Sequence, residues 1–340
     1  MLMAVELRAE PAAVAERQAE PAAAALRIEA PGERVVFQRD KKNKGRVPAR
    51  CTSEGDAVEV RAVDKTSREE VKAWTPLKGV KGSFTAVLDL PAGWYELEFR
   101  VTQGGQAVQT ATLQRVGIGD VFVTAGQSNS ANYGQPRQAA KADCVSTCDF
   151  QTGQWRHADD PQPGASGGGG SPWPLLGDLL TGKTGLPVGF ICVGVGSTRV
   201  SQWAPTGDCY PRLKKALEIV GPNGCRAVLW HQGESDSMIG TPPAVYAETL
   251  ASAINQSRAD ARWQVPWGVA FASYHPAPQA TAERQQAVVA GQQLVIKGVR
   301  GVFPGPVTDG FLAKGFLSDT VHFNAEGLKA HAEGWFEALR

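Results

Sequence analysis

Two short runs in this 340-residue chain hold residues whose types and surroundings point to chemistry: a serine in TAGQSNSANYG and a histidine in SDTVHFNAEG. Ser128 follows the apolar run DVFVTAG and sits in Gly126-Gln127-Ser128-Asn129. A strand that enters so sharp a turn leaves the hydroxyl exposed at its carboxyl end and can aim the serine's own N–H at a bound oxyanion. A plain turn or cap serine has the same surroundings, so the nucleophile reading needs partners. Of the five histidines (157, 231, 275, 322 and 331), His322 has one in sequence, because Asp319 lies three residues before it. In a loop or a first helical turn that spacing lets the carboxylate reach the imidazole Nδ1–H, which leaves Nε2 free to take the serine proton. The order Ser, Asp, His suits an esterase or lipase-like hydrolase. Taken alone, Asp319 and His322 also read as a cap on the final helix.

An oxyanion needs donors besides the Ser128 N–H. Gly196, in GVGSTRVSQW, permits close backbone approach and can present an N–H. Gln232, in LWHQGESD, carries an amide that can donate to developing negative charge. A tight turn and a structural polar residue are the plain alternatives for these two. Glu234 reads as a brace for neighbouring loops more than as a second site carboxylate. His231, adjacent to Gln232 on a strand, points to the other face.

The elements that must position these residues follow from the hydrophobic rhythm. DVFVTAG, PVGFICVGVG, RAVLWHQG and WGVAFAS are short, nearly continuous apolar runs. Helix-length segments lie at about 173–183, 209–220, 243–260 and 281–297, and a last helix runs from about Asn324 to Leu339 with Asn324 as its cap. Buried strands alternating with helices predict a parallel sheet covered on both faces, with the ligand outside the strands' carboxyl ends. Before Gly117 the rhythm is different. AVEVRAV, SFTAVLDL, WYELEFRV and AVQTATLQRV alternate apolar with polar residues between turn signals, which predicts a small antiparallel β-sandwich over 27–116. Its Trp74 and Trp94 are expected in its core, with sugar stacking as the alternative. Residues 1–26, rich in Ala, Glu and Pro, read as a poorly ordered extension.

With these residues in place, the chain resembles the SGNH hydrolases, and more closely the sialate O-acetylesterase-like carbohydrate acetylesterases. GQSN, the glycine block after the second strand, WHQGES after the third and DxxH near the end carry the resemblance, together with SPWPLLGDLL and GLPVGFICVGVGSTRVSQW. It covers about 117–340, and the preceding sandwich resembles an accessory domain of some such proteins. The resemblance implies a three-layer α/β/α hydrolase domain with Ser128 as nucleophile, His322 as base and Asp319 as its orienting carboxylate. It implies an oxyanion hole of Ser128, Gly196 and Gln232, with Gln127, Asn129 and Glu234 in support. The chain departs from the pattern at Gly196-Ser197-Thr198, where Gly-Gly-Thr is commoner, and at Asp236, where Asn is frequent.

The activity implied is hydrolysis of O-acetyl esters of carbohydrates: acetylated sugars, sialic acid or plant polysaccharide. No metal and no organic cofactor is called for. A lipase-like or aryl esterase on the same scaffold is the alternative, and a non-catalytic carbohydrate-binding protein a further one. Thirty-five basic against thirty-four acidic residues give a net charge of +1, which argues against nucleic acid as a partner. No apolar run approaches the roughly 20 residues that span a bilayer, so no membrane partner is expected. The resemblance implies a secreted or periplasmic enzyme, whereas Glu6 and Arg8 interrupt the apolar start and no signal peptide is visible. Six scattered cysteines make no zinc spacing, and Cys144 and Cys148 can be bridged or free.

Overall fold

The computed structural model describes residues 26–80, 82–221 and 223–340. The extension expected over 1–26 lies outside the described residues except for Leu26. The N-terminal part holds nine strands: β1 (Arg27–Ala30), β2 (Val36–Gln38), β3 (Lys44–Thr52), β4 (Ala57–Asp64), β5 (Glu70–Pro76), β6 (Lys78–Val80), β7 (Ser83–Pro91), β8 (Gly93–Gln103) and β9 (Gln106–Gly126). The order β1-β3-β7-β6 makes one antiparallel layer, and β5, β4, β8 and the first half of β9 pair into another. Period-two alternation turns Val47, Cys51 and Leu88 of the first layer toward Val60, Leu97 and Phe99 of the second, in one apolar cluster. Trp94 is buried, but in the apolar cluster of the parallel sheet rather than in the core of the antiparallel layers where it was expected. Trp74 is only half-buried and stacks against the guanidinium groups of Arg61 and Arg100, 5.0 and 4.2 Å from its ring centre.

The rest of the chain adds β10 (Val145–Cys148), β11 (Trp155–His157), α1 (Trp173–Thr184), β12 (Val188–Cys192), α2 (Tyr210–Ile219), β13 (Ala227–His231), α3 (Glu234–Ile239), α4 (Pro243–Ala261), β14 (Trp267–Phe271), α5 (Ala282–Gly298), β15 (Val302–Val307) and α6 (Ala325–Ala338). The sheet order is β11-β10-β12-β9-β13-β14-β15, parallel except for β11. Alternate residues serve opposite faces. Val121, Val123, Val228 and Trp230 join Leu213 of α2, Leu250 of α4 and Val288 of α5 in one cluster. Phe122, Ala227 and Leu229 join Trp173 of α1 and Trp335 of α6 in another. The central strands β9, β12, β13 and β14 are therefore largely apolar on both faces, which is why their runs look continuous in sequence.

The two parts are not separate. A boundary at 116/117 falls in the middle of β9, which pairs antiparallel with β8 up to Ile118 and parallel with β12 and β13 from Asp120. What changes there is burial. The half-exposed alternation ends at Arg115, and every residue from Val116 to Gly126 is buried. β2 also pairs with β9 at Gly117–Gly119. Beside this pairing, Gln38 Oε1 accepts the Val121 N–H at 2.8 Å, and Arg39 forks onto Asp120 at 3.0 and 2.9 Å. Asp143, beyond β9, gathers Arg34, Arg115 and the Trp94 indole. Partial burial works against its charge, but these three donors bring its carboxyl down to about 2. All six cysteines are free. Burial pushes the Cys148 and Cys192 thiols up to about 12, so they are poor nucleophiles.

Asp120 is 5% exposed, and its remaining cation, Arg226, stands 3.6 Å away. Arg39→Ala is expected to cost about 2–3 kcal/mol, because it leaves a buried carboxylate short of its main partner. Urea unfolding checks this. A fragment beginning at Gly117 loses Val36 and Trp94 from the main core. Size-exclusion chromatography should find it aggregated.

Candidate functional site

β9 ends at Gly126, whose φ of 125° lies in the region that favours glycine. A Cβ there would sit 2.0 Å from the His231 carbonyl oxygen of β13. The chain then turns through Ser128–Ser130 in a single 3-10 turn, closed by the Ser130 N–H and hydroxyl, which donate to the Gln127 carbonyl at 2.9 and 2.8 Å. The Ser128 N–H has no protein acceptor among the described residues.

His322 comes from the loop between β15 and α6. Its Nδ1 lies 2.7 Å from Asp319 Oδ2, and Asp319 Oδ1 accepts the backbone N–H groups of Val321 and His322 at 3.0 and 2.8 Å. Partial burial acts against the Asp319 carboxylate, yet the hydrogen bonds from His322 and Val321 hold it below the ordinary carboxylate range. The charged carboxylate fixes the proton on Nδ1 and leaves Nε2 as the free nitrogen. Tyr133 stacks on the ring, with centres 5.2 Å apart and planes 26° from parallel.

Ser128 and His322 line one cavity of about 260 Å³ with Gln127, Ser197, Arg199, Ser235, Met238, Ile239, His275 and Val321. No hydrogen bond joins the Ser128 hydroxyl to His322 in this structure; such contacts often close only around substrate. The cavity lies beyond the carboxyl ends of β9, β13 and β14, where an open parallel sheet binds ligands. A larger cavity of about 590 Å³, lined by Lys214, Asp260, Arg262 and Trp263 among others, opens instead near the amino end of β13, far along the strands from Ser128.

The other expected site residues are placed differently. The Gly196 N–H already donates to the Ser166 hydroxyl at 2.7 Å, and a Cβ at this position would press on the Tyr133 hydroxyl at 2.5 Å. Gln232 is fully buried, and its Nε2 is shared among Asp236 Oδ2, the Thr198 carbonyl and Gln127 Oε1 at 2.6, 3.0 and 3.2 Å. In this structure the N–H groups of both are engaged by protein acceptors. Ser197 takes a φ of 58° and lines the cavity. Asp236, buried beside Gln232, also accepts the Val200 N–H and the Thr241 hydroxyl. Burial raises its carboxyl above the ordinary value despite these bonds.

Glu234 is a brace, through side chains. Its Oε1 accepts from Asn129 Nδ2 at 3.1 Å, and Asn129 also donates to the Val321 carbonyl beside His322. The same oxygen lies 3.2 Å from His231 Nε2. Trp335 donates its indole N–H to His331 Nε2 at 3.0 Å, and His231 Nδ1 lies 3.1 Å from that same nitrogen. Complete burial disfavours the charge on Glu234, but His231 holds its carboxyl below the ordinary value. Burial keeps His331 far below the ordinary imidazole value. A buried polar chain therefore runs from α6 to the turn that carries Ser128.

Sequence reasoning passed over Tyr133, Ser197, Arg199 and His275. His275 follows β14 by four residues, so the rule that ligands gather at strand carboxyl ends flags it. Its Nδ1 accepts the Ala277 N–H at 3.1 Å, and partial burial lowers its pKa, which leaves a neutral ring with Nε2–H.

A family model described as "Carbohydrate esterase, sialic acid-specific acetylesterase" matches residues 118–338. Among solved structures, a carbohydrate acetylesterase from Xanthomonas citri is 16% identical, with a TM-score of 0.59 over 91% of this chain and 73% of that one. A protein from Arabidopsis thaliana is 18% identical, with a TM-score of 0.52 over 65% of this chain and 97% of that one. At these identities the two structures show a shared fold. No curated protein matches the sequence closely enough to count as a relative.

Glu234→Ala should destabilise the protein by about 3–5 kcal/mol, because it strands the buried His231 and Asn129. Since the folded Glu234 carboxyl lies below its ordinary 4.5, the wild-type advantage is full above that value and is lost as pH falls through the lower folded value. Urea unfolding of both proteins at neutral and acid pH tests size and sign together.

Proposed function

The chain belongs to the sialic acid-specific acetylesterase family of carbohydrate esterases and is a carboxylic ester hydrolase, and from that premise we propose that it removes acetyl groups from carbohydrate hydroxyls through Ser128, His322 and Asp319. Ser128 Oγ attacks the ester carbonyl as its proton passes to His322 Nε2. The carbonyl oxygen becomes an oxyanion, and the Ser128 N–H donates to it. As the intermediate collapses, His322 returns the proton to the departing sugar oxygen and the acetyl group stays on Ser128. A water then gives its proton to His322 as it attacks the acyl-enzyme carbonyl, and His322 passes that proton to Ser128 Oγ as the bond to the acetyl carbon breaks and acetate leaves. Asp319 stays ionised throughout and steadies the imidazolium.

The observation that carries this reading is the shared cavity. Ser128 and the Asp319-held His322 both line it, and they come from opposite ends of the hydrolase segment. Met238, Ile239 and Val321 give the lining an apolar part, while Gln127, Ser197, Arg199 and His275 are polar. That mixture and the volume of about 260 Å³ favour a short acyl group on a hydroxylated leaving group over a long acyl chain.

Ser128→Ala should remove several orders of magnitude of turnover while the protein stays folded. Wild-type protein should prefer p-nitrophenyl acetate to p-nitrophenyl octanoate and release acetate from acetylated sugars. Near-normal turnover by folded Ser128→Ala would overturn the assignment, and a preference for octanoate would point to the lipase-like alternative.

A further inference from the structure

Gln127, the residue before Ser128, has its side-chain amide oriented by backbone groups that permit no ambiguity. Its Oε1 accepts the Ser235 N–H at 3.2 Å, and a backbone N–H can only donate. The same oxygen accepts Gln232 Nε2, also at 3.2 Å. Gln232 is oriented in turn by the Thr198 carbonyl, which can only accept, at 3.0 Å from its Nε2. The two amides thus lock each other, and an exchange of O and N in either would set donor against donor or acceptor against acceptor.

The lock has a directional result. Gln232 has two N–H bonds for three acceptors, Asp236, Thr198 and Gln127, and none remains for a ligand. Gln127 has both acceptor contacts on its oxygen, so its Nε2 is turned away from Gln232. That nitrogen has no protein acceptor among the described residues, although the residue is only 3% exposed. Gln127 lines the cavity next to Ser128 and His322. A nearly buried amide NH₂ with no partner, held by two bonds at its other end and bordering the nucleophile, is a preorganised donor.

We propose that Gln127 Nε2 is the side-chain donor of the oxyanion hole, acting with the Ser128 N–H, and that Gln232 serves as the brace that aims it. Gln127 is then a catalytic residue that contacts the developing oxyanion, and Gln232 a positioning residue that acts through Gln127. This rests on Ser128 being the nucleophile. It moves the side-chain donor from the third strand's end to the first, one residue from the attacking oxygen.

The test uses the full chain, with Gln127→Glu and Gln127→Ala beside Ser128→Ala. Glutamate keeps an oxygen for the Ser235 N–H and for Gln232, so it preserves the brace, but it replaces the donor with an anionic acceptor. Both Gln127 variants should lower kcat on p-nitrophenyl acetate by about 10²–10³ while KM moves by less than about threefold. Methylboronic acid, which forms a tetrahedral adduct on an active serine, should bind more weakly in proportion to the loss in kcat. Gln127→Glu should keep the native fold by circular dichroism at the assay temperature, with a lowered unfolding temperature because its carboxylate is nearly buried. A Gln127→Glu enzyme with wild-type kcat and wild-type boronate affinity would overturn the proposal, because a purely structural role predicts that result. Activity surviving in Ser128→Ala would instead sink the nucleophile assignment, so the two failures are distinguishable.

Discussion

The site depends on one set of interactions: two buried carboxylates under the Ser128 turn must be matched by donors, because an unpaired buried charge costs several kilocalories, while Gln232 Oε1, Glu234 Oε2, Asn129 Oδ1 and His331 Nδ1 are left without partners among the described residues. Two carboxylates organise the answer. Asp236 collects the Val200 N–H, the Thr241 hydroxyl and the Gln232 amide. Glu234 collects Asn129 and His231. The first gathers the loop after β12 and the start of α3 around Gln232. The second joins the serine turn, the β13 end and, through His231 and His331, α6. Removing either carboxylate would free several elements together, and the cavity walls are made of those elements.

This arrangement also explains why the cavity is built from short loops and still has fixed walls. Each loop contributes a buried polar atom to a shared partner, so none can move without stranding another. The histidine loop is tied in through the bond from Asn129 to the Val321 carbonyl, one residue before the imidazole. Tyr133 adds an apolar restraint, with its ring on His322 and its hydroxyl end over Gly196. Asp319, by contrast, is 57% exposed. Its hold on His322 is local, made within four residues of chain.

That difference separates what could be read in the sequence from what could not. The Asp319–His322 pairing depends on a spacing of three residues, and the apolar runs of β9, β12, β13 and β14 depend on burial at both faces; both leave a local mark. The five long helices agree with the expected ranges to within about two residues at each end. The engagement of Gly196 by Ser166 and of Gln232 by Asp236 and Thr198 left none, since those bonds span different loops or depend on the orientation of an amide. His275 was hidden for a related reason, as a loop histidine whose neighbours come from elsewhere in the chain. The short strands β10, β11 and β15 are too brief, or too rich in proline, to carry a pattern. At 116/117 the change in side-chain rhythm is a change of surroundings along one unbroken strand, which the rhythm alone does not reveal.

That unbroken strand limits how the protein can be recombined. In most multidomain chains a linker lets a catalytic unit be shuffled to a new accessory partner by cutting between two folded bodies. Here the cut would divide the hydrogen-bond ladder of β9, whose amino half belongs to one layer and whose carboxyl half is the central strand carrying the serine turn. A graft that respects the ladder must bring β2 and all of β9 with the catalytic sheet, and the recipient must supply a strand that pairs with β9 as β8 does. In this chain the antiparallel layers and the catalytic sheet are therefore coupled through one shared strand.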